Sequence, residues 1–140
     1  MATTEEADRS AIRDLLYRYA RALDLRDFAA VGRCFAPGAR AEYSGLTLSP
    51  GVDAILAHLR QISAIPASTH LVGNVLIELH GDSAEVDSQA IVHLVLDSGP
   101  HARVRVRGLY YHDRVVRQGE TWVIAERVHR AGWSLELGGA

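Results

Sequence analysis

The sequence predicts a single α+β domain, one long N-terminal helix and two short ones packed in a curved antiparallel sheet, and three observations predict it. A length of 140 residues suits one domain of ordinary size and leaves no room for two. Hydrophobic residues make up 48%, enough to build a core. Apolar spacing of three and four governs the first half of the chain, and a period of two governs the second.

The first helix is expected over residues 5–26. Thr3 or Thr4 can cap it, and Glu5 and Glu6 favour the positive end of its dipole. Ile12, Leu15, Leu16, Tyr19 and Leu23 form its apolar stripe. Asp27 is placed to cap a second, short helix over 28–35, which Pro37 and Gly38 end. A short strand or hairpin is expected over 40–48. Ser49-Pro50 reads as a cap followed by proline at the first helical position. The third helix then covers 51–62, with Ile55, Leu56 and Leu59 inward.

Four strands are expected next, over 68–80, 83–97, 102–117 and 120–131. Gly81-Asp82, Ser98-Gly99-Pro100 and Gln118-Gly119 supply the turns between them. Consecutive strands on short loops make an antiparallel meander, and residues 138–140 are expected to fray. A meander bent around the long helix leaves a concave space at its wide end, the usual setting of a ligand pocket.

Composition removes several function classes. Net charge is −2, which gives no electrostatic reason for a nucleic-acid or anionic-membrane partner. All 15 basic residues are arginine, so Schiff-base chemistry and a P-loop lysine are excluded. The lone Cys34 cannot form a disulfide within the chain or a multi-cysteine metal site, and it reads as a small core residue. His58, His80, His101, His112 and His129 show no metal-ligand spacing, and neither a metal nor a cofactor is expected. The first eight residues lack the basic and apolar regions of a signal peptide, and no apolar run approaches the roughly 20 residues of a membrane span. A soluble cytoplasmic protein is expected.

The stretch from Ala11 to Asp24 (AIRDLLYRYARALD) resembles the opening helix of SnoaL-like proteins. Phe28 to Phe35 followed by Ala36-Pro37-Gly38-Ala39 is similar to that family's second helix and its entry to the first strand. Ser68-Thr69-His70-Leu71-Val72-Gly73-Asn74 matches the family's His-x-x-x-Asn strand. Residues 108–113 and 122–127 look like its last two strands. The resemblance spans residues 8–133 and implies an NTF2-like cone over the whole chain, 1–140. Relatives include scytalone dehydratase, a bile-acid dehydratase, a dehydrochlorinase and polyketide cyclases, so the fold alone does not choose a reaction.

The eliminating members of the family share an aspartate at the end of the first helix and a histidine at the start of the first long strand, here Asp24 and His70. A tyrosine five residues before the aspartate is Tyr19, and an arginine of the final strand that often faces the pocket is Arg127. On this reading His70 is the general base, since an unperturbed imidazole titrates near pH 6.5. Asp24 fixes its tautomer and stabilises the imidazolium. Tyr19 donates to a carbonyl or leaving hydroxyl, and Arg127 holds an oxyanion or an acidic group. Asn74 shares the strand face of His70, Val72 and Leu76. His93 shares that of Gln89, Ile91 and Val95. Both are expected as substrate-binding residues.

Other roles stay open. Tyr19 lies squarely on the apolar stripe and packing would explain it. Arg127, placed by alternation with Val123 and Ala125, could form a structural ion pair. Arg103, Arg105 and Arg107 alternate onto one face that reads as solvated or dimer-facing. The implied function is a lyase or isomerase, of dehydratase or cyclase type, acting on a small hydrophobic organic substrate that is polyketide- or steroid-like. The alternative is a non-catalytic ligand-binding or assembly module, favoured if Tyr19, Leu23 and Trp122 fill the cavity. Relatives pair sheet to sheet, so a homodimer or homotrimer is expected.

Overall fold

The structure is a computed structural model and describes residues 4–139. The elements run α1 (Thr4–Asp24), α2 (Phe28–Arg33), β1 (Phe35–Tyr43), β2 (Leu46–Thr47), α3 (Val52–Leu59), a 3-10 turn (Arg60–Ala64), β3 (Ala67–His80), β4 (Ser83–Val95), β5 (Arg103–Gln118) and β6 (Thr121–Gly138). The strands form one six-stranded sheet in the order β2-β1-β6-β5-β4-β3. The meander β3 to β6 is antiparallel as expected, but β1 runs parallel to β6, so the sheet is mixed. The expected α+β architecture, helices packed against one curved sheet, stands. Among the described residues no helix is long and apolar enough to cross a membrane.

The stripe of α1 is buried as the spacing requires. Ile12, Leu15, Leu16, Tyr19 and Leu23 are all at most 3% exposed and pack with Val31, Ile55, Val86, Val115 and Ile124. The N-terminal part of α1 is pinned to the turn end of β5 and β6. Asp8 accepts from Arg117 Nη2 at 2.8 Å and from Trp122 Nε1 at 3.2 Å. Trp122 is therefore a core and clamp residue.

Four local expectations are corrected. Helix α1 ends two residues early because Arg26 takes a left-handed φ of 58°. Asp27 N then bonds Ala22 O and Arg26 N bonds Leu23 O, the paired bonds of a Schellman terminus. Asp27 does cap α2, accepting from Ala30 N, but α2 stops at Arg33 and Pro37-Gly38 lie inside β1, where the register with β6 shifts. Pro50 does not begin α3, whose N-cap is Gly51 at φ 109°. Strand β6 continues to Gly138, pairing along all of β5.

Three bulges bend the long strands. They fall at Gly73/Leu76 of β3 and at two points of β6, opposite Gly108/Leu109 and Arg114/Val115. Each inserts an unpaired residue, so inward and outward positions exchange beyond it. At the second of these the Trp133 indole covers Gly108 so closely that a Cβ there would collide with it.

Candidate active site

The last residue of α1 and the first turn-free stretch of β3 meet at the wide end of the cone. Asp24 is the terminal helical residue, where the dipole disfavours a carboxylate. Its compensation comes from β3. His70 Nδ1 lies 2.6 Å from Asp24 Oδ1, the His70 backbone N–H donates to Oδ2 at 2.7 Å, and Ser68 Oγ donates to Oδ1 at 2.8 Å. Burial pushes the Asp24 carboxyl up. The ring and backbone bonds from His70 and the Ser68 bond outweigh that and hold it below the usual range. An ionised carboxylate only accepts, so Nδ1 carries the proton and Nε2 is left as the acceptor. The side chains of His70 and Asp24 are 7% and 19% exposed.

Arg26 supports this pair from behind. Its Nη1 donates to Leu23 O, to Asp24 O and, at 2.7 Å, to Ser68 Oγ. The guanidinium satisfies the orphan carbonyls of the helix end and brings the positive charge that the terminus favours. A left-handed non-glycine residue costs about 1 kcal/mol, and here it positions the support of the candidate site. Sequence reading missed Arg26. Its signal was an arginine one residue before the cap Asp27.

A cavity of about 480 Å³ opens between the inner face of β3 to β6 and the helices. His70, Tyr19, Tyr43, Tyr111, His58, His129 and Arg107 are among its lining. Asp24 is not. It borders a separate hollow beside Tyr17 and Arg21, with His70 between the two spaces. Tyr19 is placed at the cavity as expected, its hydroxyl 3.2 Å from that of Tyr43. Burial raises both phenols, so both stay protonated and can donate.

Arg127, Asn74 and His93 do not line this cavity. The bulge at Ala125 turns Arg127 onto the face of Trp122 and Ile124, where it lies 2% exposed. Arg127 Nε and Nη2 donate to Asp113 Oδ1 and Oδ2 at 2.7 and 2.8 Å. Its Cζ sits 4.3 Å from the Tyr19 ring centre and 4.1 Å from that of Tyr111. It is the structural ion pair of the open alternative, behind the tyrosines and not on the cavity wall. Asn74 occupies the β3 bulge at φ 51°, which asparagine tolerates, and donates to Gln89 on the exposed side. His93 follows the alternation expected of β4. The inward set, however, is Ala84, Val86, Ser88, Ala90 and Val92, which leaves His93 on the outer face.

The reverse holds for β5. Arg105 and Arg107 line the cavity, contrary to the expected solvated face, although Arg105 also bonds Glu136. His129 is the other missed residue. It lies between the Tyr43 and Tyr111 rings with Nδ1 3.2 Å from Ser44 Oγ. Burial, then the charges of Arg107 and Arg127, push it down to about 4, so it is neutral at physiological pH.

Residues 4–128 match the SnoaL-like domain. The chain belongs to the SnoaL-like family. An uncharacterised protein of Mycobacterium tuberculosis is 30% identical over 133 residues, 91% of this chain and 88% of that one. Two solved structures share the SnoaL-like fold at low identity. A scytalone dehydratase-like protein of Novosphingobium aromaticivorans superposes with a TM-score of 0.87 at 20% identity, covering 100% of this chain and 94% of that one. A hexachlorocyclohexane dehydrochlorinase of Novosphingobium barchaimii gives 0.82 at 18% identity, covering 96% and 92%. At such identities the likeness concerns the fold, and this SnoaL-like chain's chemistry has to be argued from its own side chains.

Proposed function

We propose that the chain is a small-molecule lyase or isomerase, of dehydratase or cyclase type, in which His70 takes a proton from carbon and Asp24 orients it. The observation that carries this reading is the Nδ1 to Asp24 contact of 2.6 Å on a histidine that borders the cavity. It leaves the basic Nε2 without a protein hydrogen bond among the described residues. A carbon beside a carbonyl loses its proton to Nε2, and the C–H electron pair forms a double bond. The leaving group departs from the next carbon with its own pair, and the imidazolium returns a proton to it. Tyr19 and Tyr43 are placed to donate to the oxygen on which charge develops. Asp24 stabilises the imidazolium. No step in this scheme requires a cofactor.

The alternative was a binding or assembly module with a filled cavity. Tyr19 and Leu23 line the cavity, and Trp122 belongs instead to the core and the clamp on Asp8, which supports the first reading. The names of the structural neighbours, a dehydratase and a dehydrochlorinase, support elimination. The exposed Leu71, Ile91, Tyr110 and Trp133 on the outer sheet face support the expected homodimer or homotrimer, which light scattering would measure.

The test is deuterium exchange, followed by NMR, at the carbon beside the carbonyl of a bicyclic β-hydroxyketone. Exchange is the step common to dehydration, isomerisation and cyclisation. The protein should accelerate it, and His70→Ala should abolish the acceleration. Exchange retained in His70→Ala contradicts the reading.

A further inference from the structure

The cavity wall has a charge imbalance. Two arginines, Arg105 and Arg107, line it beside His58, His70 and the neutral His129, while none of its described lining residues is Asp or Glu. Arg105 is neutralised by Glu136, and Arg127 behind the wall by Asp113. Arg107 has no hydrogen bond or ion pair with any described residue. A guanidinium left without a partner in a partly buried wall is a site short of one anion.

Register fixes where that anion would sit. His70 pairs with Val92 across β3 and β4, and Val92 pairs with Arg107 across β4 and β5. The three residues form one row on the inner face, with the small buried Val92 as floor. Two strand spacings put the backbones of His70 and Arg107 roughly 10 Å apart. A ring-sized apolar body fits between an imidazole at one end and a guanidinium at the other.

We propose that Arg107 binds a carboxylate of the substrate, so that the substrate is an aromatic or alicyclic acid whose acidic C–H lies across the ring system from its carboxylate. This rests on the acid–base reading of His70 for the word substrate, but not for the anion site itself. Burial is the main cause of the depressed His129, and the charges of Arg107 and Arg127 that add to it are ones that favour a bound anion. The fork of Arg107 suits two-point binding of a carboxylate. The assignment also explains why Arg107 stays unpaired while Arg103, Arg105, Arg114 and Arg117 of the same strand each hold an acidic partner.

Calorimetric titration of the full chain with 2-naphthoate and 2-naphthamide tests the site, because the two probes share a shape and differ in charge. The acid should bind about 10- to 100-fold more tightly than the amide. Arg107→Met should erase that preference and leave the amide unchanged, and Arg107→Lys should restore part of it. Equal binding of the two probes by the wild-type chain overturns the proposal without recourse to any variant. So does failure of the acid to bind, or a preference that survives Arg107→Met. His70→Ala separates the two readings. It should lose exchange at carbon and keep the preference for the acid. Exchange that survives His70→Ala counts against the base and not against the anion site.

Discussion

Two acid–base pairs lie in the same cone and have opposite surroundings. Asp113 and Arg127 sit at the middle of β5 and β6, directly paired in register, with side chains 0% and 1% exposed. Asp24 and His70 sit where α1 and β3 meet, largely but not fully shielded, with one ring nitrogen uncommitted at a cavity. Burial works against the Arg127 charge, and the Asp113 charge and its two hydrogen bonds outweigh it, so the guanidinium keeps its proton. The second pair is open on one side. A buried pair joined at two points, with only Arg127 Nη1 left without a hydrogen-bond partner, holds a fold together. A pair with a base left over can do chemistry.

The largest expected effect breaks the closed pair. Asp113→Ala leaves the Arg127 charge buried and unpaired, which costs about 3–5 kcal/mol in urea denaturation. Replacing both together, as Asp113→Leu with Arg127→Met, should recover most of that loss. A double variant as unstable as the single one would mean the pair is not the cause. The open pair should behave in the opposite way. Asp24→Asn and His70→Ala should lower exchange at carbon by about 100- to 10,000-fold while moving stability by less than about 1 kcal/mol. Equal damage to fold and rate would erase the contrast between the two pairs.

Arg26→Gly sharpens the comparison from the side of the support. Glycine suits the left-handed terminus, so unfolding should change by less than about 1 kcal/mol. Exchange should still fall, because Ser68 and the helix carbonyls lose the guanidinium. Unchanged exchange would make Arg26 a helix cap and nothing more.

The smallest effect is in acid. The His129 value is depressed from 6.5 to about 4, so the unfolded chain binds more protons between those values and stability falls as pH drops through that window. Asp24, held below 3.8, adds a second loss below about that pH. His129→Gln should flatten only the first window, as read by melting temperature against pH.

The sequence makes the helices and the meander legible because their apolar periods are long and uninterrupted. Tyr19 was reachable for the same reason, since it lies on the stripe of α1, whereas Asp24 and His70 were named from the resemblance to the family and the structure brings the two into contact. Arg127 and Asn74 were misplaced because alternation was carried through the irregular steps at Ala125 and Asn74, and one inserted residue reverses the face. His93 failed differently. Both faces of β4 are apolar near Ile91 and Val92, so the period was right and the inward side was not. Asp113 left a signal that went unused. It alternates with Leu109, Tyr111 and Val115, a carboxylate in an apolar stripe that required a cation on the neighbouring strand.

The central claim is that Asp24 holds His70 with its proton on Nδ1 and a bare Nε2 at the cavity. Nitrogen-15 NMR of the His70 ring at pH 8, in the wild-type chain and in Asp24→Asn, measures it. The account predicts a single tautomer protonated on Nδ1 that the substitution disturbs. A ring protonated on Nε2, or one that exchanges freely between tautomers in both proteins, would contradict it.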